Sequence, residues 1–195
     1  ITETLSDPTF DVIILLDVDS RALYRKGTHE ANLKALEQHV GGGKGLMMMG
    51  GDHSFGPGLW HSTPLADVLP VLMSRTERQE FDQPVNRAAH IERPLQLVPV
   101  GNHFLTRLGD DPDQKAVWAR LPPMLCANRF AGLKDNAELL LESEAGEPVL
   151  VAGSYGAGRV VAFAGDSTWR WWLKGRQTEY KAFWRQVLYW LAFRD

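Results

Sequence analysis

The sequence predicts an α/β fold in which helices pack on a mostly parallel sheet, and three observations carry that expectation. A nearly unbroken apolar run, Phe10 to Leu16 (FDVIILL), is followed by a helical repeat and then by a second apolar run, Gly45 to Met49 (GLMMM). A glycine-rich segment, Gly50 to Gly58 (GGDHSFGPG), comes directly after that second run. The last third carries a strand–turn–strand pattern closed by an amphipathic helix.

Taken in order, the first run ends in Asp17 and Asp19, and its length and β-branched residues suit a strand buried on both faces. From Thr28 to Val40 the period changes. Leu33, Leu36 and Val40 recur at helical spacing, Thr28 can cap, and Glu30 sits in the first turn, where the helix dipole favours it. Gly41, Gly42 and Gly43 end that helix. With Gly45 to Met49 as the next strand, the whole reads as a βαβ unit. Residues 60–71 hold two prolines and predict a short helix or turn before an extended piece. Residues 74–93 are polar and aperiodic, which predicts loop with at most one short helix. Leu95 to Val100 reads as a strand and Asp113 to Leu121 as a short helix stopped by Pro122 and Pro123. Ala137 to Leu141 and Pro148 to Gly153 read as strands, Ser154 to Gly158 as a turn, and Arg159 to Ala164 as the returning arm of a hairpin. Thr178 to Phe193 closes the chain as a helix whose apolar stripe is Tyr180, Phe183, Trp184, Val187, Leu188 and Leu191.

With 195 residues, 44% hydrophobic and 23% charged, the chain suits one domain, residues 1–195, with a substantial core. A net charge of -3 with scattered Lys and Arg argues against a nucleic-acid partner. The apolar runs are far shorter than a membrane span, so direct membrane insertion is not expected. The first residue is Ile1, not Met, and the chain reads as an excised piece of a longer protein. One cysteine, Cys126, excludes an internal disulfide and a cysteine-rich metal site.

Four stretches together carry a resemblance: GGGKGLMMMGGDHSFGPG, STPLADVLPV, LPPMLCANRFAGLK and PVLVAGSYGAGRVVAFAGDSTWRWW. The series resembles a bacterial family of glutamine amidotransferase-like proteins and covers most of the chain. The first helix, the glycine run and the late hairpin are also similar to the ThuA-like branch of the same superfamily. The resemblance implies a flavodoxin-like three-layer sandwich, with a C-terminal hairpin and closing helix on a mostly parallel sheet. It also implies a parent protein of the bacterial envelope, tethered through membrane segments outside this piece.

A glutaminase of that class needs a cysteine on a strand-to-helix elbow, activated by a histidine that a carboxylate orients. The elbow falls at Gly51, Asp52 and His53, where no cysteine stands, and no histidine follows His103. Cys126 lacks the glycine flanks of an elbow and is expected to act as a small buried hydrophobe. Gly165-Asp166-Ser167 resembles the opening of GDSL-type hydrolases but comes late in the chain, so a cap or turn role is expected. GGGKG lacks the Ser or Thr of a phosphate loop, and the six histidines show no metal-ligand spacing. Neither a metal nor a cofactor is implied.

The candidate ligand-binding residues are Asp17, Gly50, Gly51, Asp52, His53 and Ser54 at the strand ends, with Trp169 and Arg170 from the WRWW cluster. Open α/β sheets keep their ligand sites at such strand ends. The expected function is a catalytically silent amidotransferase-like module. It would bind an unknown small molecule or other domains of its parent protein. Two alternatives stand beside it. One is a hydrolase using Asp52, His53 and Ser54 with Asp17. The other is a carbohydrate-binding domain, for which an exposed, coplanar tryptophan pair would speak.

Overall fold

A computed structural model describes residues 9–23, 28–76 and 78–193. The first apolar run forms β1 (Val12–Leu16), the helical repeat α1 (His29–Gly41) and the second run β2 (Gly45–Met49). β1 and β2 pair in parallel, Val12 opposite Gly45 through Leu16 opposite Met49. Thr28 stands at the N-cap of α1, but its hydroxyl accepts from Asn32 Nδ2 at 3.4 Å and caps no first-turn N–H.

After β2 the chain runs through turns, a one-turn 3-10 helix at Trp60–Ser62 and the short α2 (Leu65–Val68) before β3 (Val71–Leu72). No helix forms among the described residues of 74–93. The buried Gln79 side chain organises that stretch, donating to the carbonyls of Glu80, Gln83 and Pro84 and accepting from Asn86 N–H. A side chain that satisfies four backbone groups takes the place of helical bonds. β4 (His90–Ile91) and β5 (Leu97–Pro99) follow, then a 3-10 turn at Phe104–Thr106 and α3 (Gln114–Ala119), capped by the Asp113 carboxylate on Ala116 N–H. β6 (Ala127–Asn128) pairs antiparallel with β4, and β7 (Gly132–Leu133) with β3.

The late chain supplies β8 (Glu138–Ser143), β9 (Pro148–Tyr155), β10 (Gly158–Phe163), α4 (Trp169–Leu173) and α5 (Gln177–Leu191). The main sheet has the order β1-β2-β10-β9-β8-β5. β10 lies parallel to β2, while β9, β8 and β5 follow antiparallel. The sheet is therefore mixed, and the expected parallel character is confined to β1, β2 and β10. The β9–β10 hairpin turns in two residues and the β8–β9 connection is short, and tight returns force neighbouring strands to run oppositely. Ser154 and Tyr155 pair with Arg159 and Gly158, so the turn is narrower than the sequence suggested.

Side-chain alternation along the central strands defines three layers. Leu46, Met48, Val160 and Ala162 face one core with Leu33, Leu36 and Val40 of α1. Met47, Met49, Val161 and Phe163 face the other with Phe183, Val187 and Leu191 of α5. Each such fully buried side chain contributes about 1.5–3 kcal/mol. β2 is buried at all five positions, as a central parallel strand should be. β1 is not buried on both faces: Ile14 is 39% and Leu16 50% exposed. Its apolar run resembles that of β2, but β1 is the edge strand and has one neighbour among the described residues. Leu188 is likewise exposed, off the buried stripe of α5. None of the described helices is long and apolar enough to cross a membrane.

Candidate functional site

β1, β2 and β10 end side by side, at Leu16, Met49 and Phe163. The loops that leave them, beginning at Asp17, Gly50 and Ala164, meet at one end of the sheet. Gly50 N–H donates to the Phe163 carbonyl at 2.7 Å, which binds the second loop to the third. The approach is so close that a Cβ on Gly50 would stand 1.9 Å from the Ala164 carbonyl oxygen. Asn128 of β6 stitches the same junction. Its backbone N–H donates to the Ala164 carbonyl, its Oδ1 accepts from Gly51 N–H at 2.9 Å, and its Nδ2 donates to the Gly51 carbonyl at 3.0 Å. The buried His90 ring lies 3.1 Å from Asn128 Nδ2 through Nε2 and 2.9 Å from the Asn86 carbonyl through Nδ1. That pattern assigns the proton to Nδ1 and leaves Nε2 as the acceptor.

Gly51 has φ +150, and a Cβ there would press on the Asp17 side chain at 2.4 Å. Asp17 itself sits at φ 46, the left-handed region that aspartate tolerates better than most residues. Its Oδ1 accepts from His53 N–H at 2.8 Å. His53 Nδ1 lies 3.4 Å from the same oxygen, close enough for an electrostatic contact but not aligned for a hydrogen bond, and Nε2 has no partner either. The ring is 7% exposed and stacks on Phe81 at 4.0 Å, while Phe81 is itself 74% exposed. The Ser54 hydroxyl is buried and also unpartnered. Each buried polar group left unsatisfied costs about 1–3 kcal/mol, and three such atoms lie on adjacent residues of this loop.

Two further groups report the electrostatics of this end of the sheet. Burial lifts the Asp166 carboxyl above the usual carboxylate range, its own backbone N–H draws it partly back, and the carboxylates of Asp17 and Asp52 push it up again. Burial likewise raises the half-buried Cys126 thiol, and Asp166, Asp52 and Glu92 add to the shift. Negative charge at Asp52 thus adds to the effect of burial at both groups. A carboxyl whose pKa rises on folding binds its proton more tightly in the native chain than in the unfolded one. Ionised Asp166 thus lowers stability, an effect absent below the ordinary carboxylate pKa and complete once pH exceeds the raised native value. Asp166→Asn is expected to raise Tm by on the order of 1–3 °C at about pH 7 and to leave it unchanged at about pH 3. Thermal melts at the two pH values check this, and an equal shift at both would assign the effect to packing.

The structure brings together Asp17, Gly50, Gly51, Asp52, His53 and Ser54, with Asp52 exposed and His53 and Ser54 buried. It does not bring Arg170 to them, because Arg170 Nη1 holds the Pro123 carbonyl at 2.6 Å. Trp169 and Trp172 are about half exposed on α4. Trp171 is fully buried, donates to the Pro122 carbonyl and packs edge-on against Trp118 and Phe183. The cluster is thus one core residue flanked by two surface ones. Phe55 and Trp60 are buried in the α1-side core behind the loop. Ser167 accepts from Leu125 N–H and opens the turn into α4, in keeping with the expected turn role. No group of three His, Cys, Asp or Glu among the described residues could hold a metal ion. Sequence reasoning missed Asp166, Asn128, His90 and Phe81. Their one signal is nearness to strand ends whose pairing partners are distant in the chain.

A three-layer α/β sandwich that gathers polar loop residues at the carboxyl ends of its parallel strands is the architecture of class I glutamine amidotransferase-like proteins. This chain belongs to the family described as "Putative glutamine amidotransferase", whose sequence model matches residues 3–193. Among solved structures it is similar to the cytoplasmic protein STM1381 of Salmonella typhimurium LT2, at 26% identity and TM-score 0.73, over 97% of this chain and 74% of that one. The cytoplasmic protein STM3548 of Salmonella typhimurium matches at 23% identity and TM-score 0.73, over 98% and 74%. A ThuA-like protein of Bacteroides uniformis ATCC 8492 matches at 15% identity and TM-score 0.55, over 95% and 71%, and shares the fold. No curated protein sequence matches the chain.

Proposed function

We propose that this domain binds a small molecule in the strand-end crevice and does not hydrolyse glutamine. The observation that carries the reading is His53, a buried ring with two unpartnered nitrogens, held between the Asp17 carboxylate and the Phe81 ring. An imidazole there offers a hydrogen-bonding group at each ring nitrogen to a ligand. Against glutaminase chemistry stands Cys126. The nucleophile of such an enzyme is a thiolate, favoured by cationic surroundings. Burial and three nearby carboxylates hold the Cys126 thiol in the protonated, weakly nucleophilic form.

Ammonia release from glutamine is expected to stay at the buffer blank for the wild-type chain and to be unchanged by Cys126→Ser. Release above the blank that disappears with Cys126→Ser would overturn this reading. A second reading, a hydrolase with His53 as general base, is favoured by the 3.4 Å approach of Nδ1 to Asp17 Oδ1. The two readings separate on turnover. Ester hydrolysis abolished by His53→Ala supports the enzyme, whereas saturable binding without turnover supports the binding module.

A further inference from the structure

We propose that the strand-end crevice takes an organic cation, a molecule bearing primary ammonium or guanidinium groups, with Asp17, Asp52 and Asp166 as its carboxylate partners and the buried His53 completing the contacts. This deepens the reading above and rests on it. The geometry comes first. Asp17 follows β1 directly, Asp52 stands in the loop leaving β2, and Asp166 in the loop leaving β10. Those strands are neighbours in parallel, so the carboxylates share one end of the sheet. Gly51 lies against Asp17, and Gly50 against Ala164, two residues before Asp166.

Carboxylates clustered in this way repel one another unless something positive joins them. Arg78 is committed to other carboxylates, pairing with Asp19 and Glu80. Burial is the main cause of the upward shifts at Asp166 and Cys126, and neighbouring carboxylates add to both. The second, independent observation is His53. It is more than nine-tenths buried, turns Nδ1 toward Asp17, and has a hydrogen bond at neither nitrogen. A ligand N–H would satisfy whichever ring nitrogen carries no proton. A compact metal ion fits less well than an extended organic cation, since no three candidate ligands among the described residues converge on a point. The exposed Phe81 ring over His53 adds an aromatic wall of the kind that favours cations.

Three probes of equal chain length separate the ligand classes: putrescine with two ammonium groups, 1,4-butanediol with two hydroxyls, and succinate with two carboxylates. They are titrated into the 15N-labelled chain while amide shifts are followed. Putrescine is expected to move Gly51, Asp52, His53 and Ser54 saturably, with binding weakened about tenfold in Asp166→Asn or Asp52→Asn and weakened again by added salt. Melting curves confirm that the variants remain folded. Saturable shifts of these amides with the diol or succinate, and none with putrescine, overturn the cation class and leave the crevice as a binding site. Putrescine shifts that fall elsewhere and persist in both variants, or no saturable shift with any probe, overturn the cation proposal. If none of the three moves the crevice amides and a wider small-molecule panel fails as well, the binding reading falls with it.

Discussion

Gly50→Ala is expected to destabilise the domain by about 3 kcal/mol or more, among the largest effects a single methyl group can have. The added Cβ would meet the Ala164 carbonyl oxygen at 1.9 Å, that carbon at 2.5 Å and Asn128 Oδ1 at 2.8 Å. Two of these atoms are backbone and the third is locked to Gly51, so no side chain can swing aside. Relief would have to come from separating the loop that follows β2 from the one that follows β10. That separation breaks the Gly50 N–H bond to Phe163 and loosens the Asn128 clasp. Urea denaturation measures the loss. A loss below about 1 kcal/mol would mean that the two loops part easily and that the junction is not rigid.

Trp60→Ala is the second, with an expected loss of about 3–5 kcal/mol. Trp60 is fully buried, and its Nε1–H donates to the Val18 carbonyl at 2.7 Å. Truncation leaves a cavity in the α1-side core and takes the donor from a carbonyl in the loop that positions Asp17. Trp60→Phe separates the two contributions, keeping most of the volume and losing the hydrogen bond, for which about 1 kcal/mol is expected. Denaturant midpoints give the sizes. Hydrogen exchange should then show faster opening at residues 17–20 in both variants. Protection unchanged there, despite a lower midpoint, would detach Trp60 from the site.

Much of the fold is legible in local sequence because its signals are local. The GLMMM run, the helical repeat from Leu33 to Val40 and the stripe from Tyr180 to Leu191 each carry their own period. What local signals cannot carry is neighbour order. The β1 run reads like a central strand, yet it ends at the edge, because burial depends on what lies alongside. The antiparallel half of the sheet was hidden for the same reason, although the SYGAG hairpin pointed toward it. The site divides along the same line. The loop of Asp52, His53 and Ser54 is legible because glycines directly follow a strand. Asp166 and Asn128 are not, since their place beside Gly51 depends on β10 and β6 folding back from far along the chain. Composition singles out Trp169 and Arg170, whereas helix phase decides which side chain is buried: Trp171 turns inward and its neighbours turn out.

The position of β10 also governs how this chain must be made. β2 is completed by a partner that emerges from the ribosome much later, since Leu46 waits for Val160 and Met49 for Phe163. Until then the nascent chain holds β2 as an open edge whose methionines lack their cover, a sticky state that invites pairing with other chains. Loop closure over so long a stretch is slow, so the intermediate is exposed for longer than a local hairpin would be. Shortened transcripts that stop before the final hairpin would leave both the sheet and the crevice unfinished. The segment that carries β10 thus covers an edge that the earlier segment exposes.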